Sequence, residues 1–449
     1  MVSLQFRHIC AAGNRNAYHF ARALDSAHLA WMRAAVALAH GDVGTGLAMA
    51  REVVRIAIAC GADMPELQGN HLVILGMIAS GREGEAHKML DAMIDRSDAL
   101  GLSFLFHAAL MIKADLLLAS GDAGAGQATL RLALEFGRAK GAWSIQPWAP
   151  WQILQRCCIA ALRANIEVPY VIEMIKRQRL PAPGVDITQW PWPVRIHTFG
   201  AFNVLRAGGR LRFQGKAQHK PLELLKSLII LGGSAVPQDQ LIGILWPEPP
   251  ADGGQKVLEV TLHRLRALLG NNDTIHVSDR RVSLDRDQVW VDVFEVERLL
   301  NRPSPADNEP ETDDDMRATT RLLELYIGEF LAGEPEHPGL LQRRHRLRNR
   351  FAQHVQRVGQ RYQRTARWTD AAAIYQRAVE LDPVAETFYR EWMRCLTQLH
   401  QHAEAIAVYQ RCRTMLSLLL GAKPAHETDA LRAKILTETH SNGGTRASD

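Results

Sequence analysis

The chain has 449 residues, of which 47% are hydrophobic and 22% charged, with a formal net charge of +5. That length exceeds what one core fills, so two to four domains are expected. The balance is that of a soluble globular protein, which excludes a disordered or membrane-embedded chain. The basic side is 43 arginines against 10 lysines. Spread over the whole chain, it permits nucleic-acid binding without arguing for it.

Six cysteines (Cys10, Cys60, Cys157, Cys158, Cys395 and Cys412) form no CxxC pair. Neither a zinc site nor a thioredoxin-like motif is signalled, and reduced thiols in a cytoplasmic protein are expected. Adjacent Cys157 and Cys158 point to different faces of a helix and read as packing residues. The first residues do not read as a secretory leader, and no run of about 18 apolar residues occurs. Helical pattern opens almost at once, as it would in the C-terminal part of something longer.

Residues 1–185 repeat themselves. HGD at His40–Asp42, SGR at Ser80–Arg82 and SGD at Ser120–Asp122 recur every 40 residues, and Gly61, Gly101 and Gly141 keep the same step. Glycine past the last apolar position of a helical pattern is a stop signal. A period of 40 built from helix pairs means an α-solenoid of tetratricopeptide-like (TPR-like) type, each pair covering its neighbour's apolar face. Extended repeat surfaces bind partners, so this region is expected to sense an effector or a protein. Trp143, Trp148 and Trp151 either line such a surface or fill the core.

PAPGVDITQWPWP (Pro181–Pro193) breaks the helical pattern and marks a linker. Over 186–293 the pattern first changes to period two. Val194–Phe199 and Phe202–Arg206 read as strands, with a turn at Ala207–Gly209 before a third. Helices follow at Pro221–Gly233, Pro237–Pro247 and Gln255–Leu269. On the last, Leu258, Leu262, Leu265 and Leu269 share one face and must be core. Lys256, Val260, His263 and Ala267 lie opposite, flanked by Glu259 and Arg264. Such a mixed face suits a major groove. Arg264 can bond guanine O6 and N7, Glu259 can accept from cytosine N4, and Val260 and Thr261 can touch thymine methyls. Lys256, His263 and Arg266 can hold phosphates. IHVSDRRVSL then alternates as a hairpin, with Ile275, Val277, Val282 and Leu284 inward. Arg280 and Arg281 lie at its turn, placed for a minor groove or phosphate. Strands, three helices and a basic wing, in that order, make a winged helix-turn-helix.

An acidic loop, Asn301–Asp315, reads as mobile and solvated. From Thr319 onward, in a domain expected over 294–440, the chain is helical again, and AxxYQR recurs 34 residues apart, at Tyr375–Arg377 and Tyr409–Arg411. That period, with the LDP stop, is a TPR signature. Leu340–Trp368 holds nine arginines and no acid. It reads either as a contact to DNA or RNA polymerase, or as a solvated face with partner acids in Glu309–Asp315 or on neighbouring helices; charge runs favour the second. Residues 441–449 read as a disordered tail.

KPLELLKSLIILGGSAVPQDQLIGILWP, VLEVTLHRLRALLG and RRVSLDRDQVWVDVFEVERL resemble the OmpR/PhoB-type winged helix of the SARP family of bacterial activators. Leu245–Pro247, Thr261–Gly270 and Trp290–Asp292 are its most specific marks. From LYIGEFLAGEPEHPGLLQRRHRLRNRF onward the chain resembles the bacterial transcriptional activator domain, a TPR-like partner of that winged helix. The resemblance covers about Val194–Leu436. It implies DNA-binding transcription activation, a four-stranded platform ahead of the helices, a third helix in the major groove, and monomers on direct repeats of promoter DNA. Carried over by position, the contacts are Lys256, Glu259, Val260, Thr261, His263, Arg264 and Arg266. Two departures stand out. A solenoid precedes the winged helix, like the sensor arm of large ATP-dependent activators, yet no GxxxxGK[ST] occurs. His263 stands where relatives commonly have arginine.

No HExxH, GxSxG or dinucleotide glycine motif is present, and the eighteen histidines form no cluster at metal spacing. No enzyme activity, cofactor or metal is expected. The expected protein is mainly α and multidomain: a TPR-like α-solenoid, an α+β OmpR-type winged helix that binds DNA, and a TPR-like C-terminal domain for homodimer or RNA polymerase contact. The alternative is a repeat adaptor that uses its winged helix to bind protein; burial of Val260 and Arg264 would favour it.

Overall fold

Helices of the N-terminal part start at a fixed step of 20 residues. The computed structural model describes residues 23–145, 149–183, 187, 189–212, 218–248, 253–303 and 312–443. Its contacts divide the chain into two units, Met1–Pro191 and Trp192–Asp449. In the first, α1 (23–39) is followed by α2 (Val43–Ala59), α3 (Asp63–Ala79), α4 (Glu83–Ala99), α5 (Ser103–Ala119) and α6 (Ala123–Lys140). Each turn is made alike. Gly41, Gly61, Gly81, Gly101, Gly121 and Gly141 take φ between 63° and 88°, which only glycine adopts without strain. The residue after each glycine then donates its N–H to a carbonyl five back, as in Asp42→Ala37 (2.9 Å), Leu102→Ser97 (2.8 Å) and Ala142→Gly137 (2.8 Å). These are the long bonds of the Schellman stop.

The sequence period is 40 rather than 20 because alternate helices differ in burial. Both α3 and α5 bury nearly continuous runs, Leu72–Met77 and Ala108–Ile112, and so are covered on several sides. By contrast α2, α4 and α6 bury one stripe each; in α4 it is Ala86, Leu90, Met93 and Ser97. The unit ends in α7 (Trp151–Arg163) and α8 (Val168–Gln178). Cys157 and Cys158 are both buried on α7, and burial pushes the Cys158 thiol up to about 12. No disulfide joins the described cysteines; Cys10 lies outside the described residues. Arg156 of α7 grips the buried Asp115 of α5 with two bonds, of 2.8 and 2.5 Å. Trp143 is half-buried and stacked under the Arg177 guanidinium at 3.9 Å, Trp151 is exposed, and Trp148 lies outside the described residues.

In the second unit β1 (Val194–His197) pairs antiparallel with β2 (Asn203–Arg206), which pairs with the short β3 (Gly209–Arg210). The four-stranded sheet is completed by β7 (Val289–Val291), parallel to β1, in the order β3-β2-β1-β7. Among the described residues three strands therefore precede the helices. The fourth arrives after the hairpin, because Val289–Val291 is apolar throughout and needs a position covered on both faces. Asp292 locks this closure: its buried carboxylate accepts from Thr198 N (2.7 Å), Thr198 Oγ1 (2.5 Å) and Phe199 N (3.1 Å).

Three helices, α9 (His219–Ile230), α10 (Gln238–Leu245) and α11 (Gly254–Leu269), pack beside a second sheet. That sheet has the order β4-β6-β5, from β4 (Val236–Pro237), β6 (Arg281–Leu284) and β5 (Ile275–Ser278). The helix α12 (Asp292–Leu300) leads onward. The remainder is α13 (Asp313–Leu325), α14 (Pro338–Arg364), α15 (Trp368–Leu381), α16 (Glu386–Gln398), α17 (His402–Leu420) and α18 (His426–Gly443). The acidic stretch is in part structured, contrary to expectation. Thr312 caps α13 in a capping box with Asp315, so its last acids form a first helical turn; residues 304–311 lie outside the described residues. Helices α14 and α15 touch closely, because a Cβ at Gly359 would fall 2.3 Å from Tyr375.

The end of β1 is built into this helical part. Phe199 bridges to Phe330, and its ring meets Tyr326, which stacks on Phe351 at 4.2 Å. The arginines of α14 complete the seam. Buried Arg343 donates to the carbonyls of Ile229 and Ile230 (2.6 Å each) at the end of α9 and to Glu297 of α12 (2.8 Å). Arg344 serves the carbonyls of Phe330 and Leu331, and Arg348 grips Asp382. Among the described residues the acids that Arg343 and Arg348 hold are Glu297 of α12 and Asp382 at the end of α15, so this inner part of the run is a fastening, while Arg346 is exposed.

Candidate nucleic-acid interface

The helix α11 is set by its leucines and its stop. Leu258, Leu262, Leu265 and Leu269 are all buried, and Gly270 ends the helix at φ 78°. Arg206 of β2 donates to the Leu268 carbonyl (3.2 Å), covering an end that would otherwise lack donors. The opposite face is open. Lys256, Glu259, Val260, His263, Arg264 and Ala267 are exposed, Val260 by 45%. Among the described residues Lys256, His263 and Arg264 have no internal hydrogen-bond or ion-pair partner, so their donors are available to a ligand.

Two of the expected contacts are spent inside the fold. Thr261 is only 4% exposed, and its hydroxyl donates to the Val257 carbonyl at 2.8 Å. At 100° per residue it lies only about 60° from Leu258, on the edge of the buried stripe, and cannot reach a thymine methyl. Arg266 is half-buried and donates to the Ile275 carbonyl through Nη2 (2.8 Å) and Nε (3.2 Å). It fastens α11 to the hairpin rather than holding a phosphate. Arginine on that flank matches the carbonyl of an adjacent strand, a partner that sequence does not display.

The hairpin β5–β6 turns through Asp279 (φ 49°) and Arg280 (φ 56°), the geometry of a type I′ turn. Ser278 pairs with Arg281, so both arginines sit at the tip. Arg280 pairs with Asp239 at 3.0 Å, both largely exposed, and Arg281 donates to the Ala235 carbonyl at 2.9 Å. An exposed pair of this kind contributes at most about 1 kcal/mol, so a phosphate can displace it. Val277 is 43% exposed rather than inward. It shares a face with Ile275 and with its partner Val282, but it sits on β5, the edge strand of the three-stranded sheet, next to the turn.

Gln255 escaped the sequence reading. Its amide donates to Gln238 Oε1 (2.9 Å) and to Glu259 Oε1 (3.1 Å). The signal was its spacing of four from Glu259 on one helix. Among the described residues no cluster of His, Cys, Asp or Glu could hold a metal, and no helix is long and apolar enough to cross a membrane.

The chain is thus a helical-repeat protein with small sheets and an exposed, cation-flanked helix face. Residues 291–436 match the family model described as the bacterial transcriptional activator domain. The C-terminal third of the chain is thus similar to that domain, and the resemblance to SARP-type regulators with helical repeats stands on this match. No curated protein matches. Among solved structures, Mycobacterium tuberculosis EmbR in complex with a low-affinity phosphopeptide is similar at 17% identity, over 55% of this chain and 65% of that one, with a TM-score of 0.39. The chain thus spans less than two thirds of that relative. The TPR domain of P58(IPK) matches at 13% identity over 92% of this chain and 89% of that one, with a TM-score of 0.21. Naa15/Naa10 bound to HypK-THB matches at 14%, over 93% and 62%, with a TM-score of 0.20.

Proposed function

We propose that this chain is a DNA-binding transcriptional regulator, an activator, whose residues 186–293 act as an OmpR-type winged helix on promoter DNA in the cytoplasm. The carrying observation is the outer face of α11. An apolar residue, Val260, stands exposed between Glu259 and Arg264, beside cations without internal partners. Water is a poor medium for such a face. A major groove supplies thymine methyls for Val260, guanine O6 and N7 for Arg264 and phosphates for Lys256 and His263. Arg280 and Arg281, at the tip of a short hairpin, are placed to meet the backbone or the minor groove beside it. Thr261 and Arg266 leave the contact set. The activator domain at 291–436 supports a role in transcription. In this reading residues 1–185 sense an effector or protein, and 294–440 contact RNA polymerase or a second copy.

The test is selection of duplexes from a random pool by the full chain, followed by binding to the recovered site over a range of salt. A recovered site whose binding weakens with salt is expected. Recovery of no preferred sequence, with no binding to bulk duplex, would remove the reading.

A further inference from the structure

Beside the face that meets DNA in the proposed function runs a polar chain that begins in the interior. Gln238, the first residue of α10, is 3% exposed. Its backbone is clamped to the hairpin tip: its N–H donates to the Arg280 carbonyl at 3.0 Å, and the two residues before it pair with Val282 and Arg281. Its side-chain oxygen accepts from Gln255 Nε2 at 2.9 Å, and the same nitrogen donates to Glu259 Oε1 at 3.1 Å. Glu259 is a carboxylate and only accepts, so this contact fixes which end of the Gln255 amide is nitrogen.

Both amide hydrogens of Gln255 are thereby used. A free glutamine offers a donor and an acceptor side by side, the pattern that fits adenine N6 and N7. Here Gln255 retains only its oxygen, and Glu259 retains a second carboxylate oxygen. We infer that Gln238 and Gln255 are positioning residues that hold Glu259 as an acceptor-only reading head, specific for a base presenting an exocyclic amino group, cytosine N4 or adenine N6. Guanine is rejected at that position, because its major-groove edge carries two acceptors, O6 and N7, and would face a carboxylate. The clamp also ties the reading head to the wing, since one residue, Gln238, bonds Gln255 through its side chain and the Arg280 carbonyl through its backbone.

This inference rests on the DNA-binding reading, and its test separates the two. Duplex selection with the full chain is repeated for Glu259→Ala, Gln238→Leu and Gln255→Ala, with thermal unfolding to confirm the fold. Glu259→Ala marks the base pair that Glu259 reads, and the recovered base distinguishes cytosine from adenine. Both glutamine variants are expected to lose about tenfold of the preference at that same base pair. Other positions, the salt dependence and the unfolding midpoint stay as in the wild type. If the wild type selects a site but both glutamine variants keep its full preference, or if guanine occupies the marked position, the inference is overturned while the DNA-binding reading stands. If the wild type selects no sequence, the DNA-binding reading fails and this inference with it.

Discussion

Two sets of arginines in the second unit have opposite surroundings. On α14, Arg343 satisfies two carbonyls and Glu297, Arg344 serves two more carbonyls, and Arg348 grips Asp382. On α11, Arg264 is exposed with no internal partner among the described residues, and on the wing Arg280 pairs with an exposed acid. The denser run is the one that attracts attention in the sequence. Yet its inner guanidiniums are occupied: Arg343 joins α14 to α9 and α12, Arg344 holds the carbonyls of Phe330 and Leu331, and Arg348 holds Asp382. Charge density alone does not mark a nucleic-acid surface; unoccupied donors do.

The largest expected effect tests the fastened set. Arg343→Ala leaves Glu297 and the carbonyls of Ile229 and Ile230 without their buried donor. A loss of about 3–5 kcal/mol in denaturant unfolding is expected. Arg346→Ala, on the same helix but with an exposed side chain and a 3.4 Å contact to Glu297, is expected to change stability by less than about 1 kcal/mol. Equal effects from the two would erase the distinction between seam and surface.

Next comes a pH effect in the first unit. His71 is fully buried on α3 with no hydrogen-bond partner in the described residues, and burial lowers its pKa to about 4. The folded state keeps it neutral, so the unfolded chain takes up the proton first. Stability is therefore complete above about 6.5 and falls as pH drops toward 4, by about 3 kcal/mol in all. His71→Leu is expected to flatten urea midpoints over that window relative to the wild type. Parallel pH profiles would contradict it. His354, lowered to about 4 chiefly by burial and next by Arg357, adds a similar slope that both proteins share.

A smaller effect concerns the unoccupied set. Arg264→Ala is expected to cost about 1–3 kcal/mol of binding to the selected site and to relax preference at one base pair, with unfolding unchanged. A uniform loss across all sequences would reassign Arg264 to a phosphate.

Much of this was legible in the sequence, for local reasons. The glycines of the solenoid occupy positions where φ must be positive, so their spacing displays the repeat directly. The leucines of α11 fix its buried side. What stayed hidden depends on partners distant in sequence. Nothing near Val289 announces that β7 joins β1, and nothing near Arg266 or Arg343 announces the carbonyls they serve. The tip at Asp279–Arg280 lacks the glycine that usually marks a type I′ turn. Thr261 was misplaced on purely local grounds: a 60° offset on a helix separates a groove contact from a core position.

The central claim is that the cations of α11, and not those of α14, meet DNA. It is tested most directly by measuring binding of the full chain to its selected duplex as a function of salt, for Lys256→Ala and Arg346→Ala side by side. Both remove one exposed cation. The account predicts that Lys256→Ala lowers the slope of log affinity against log salt by about one, while Arg346→Ala leaves it at the wild-type value. An unchanged slope for Lys256→Ala with a reduced one for Arg346→Ala would contradict it.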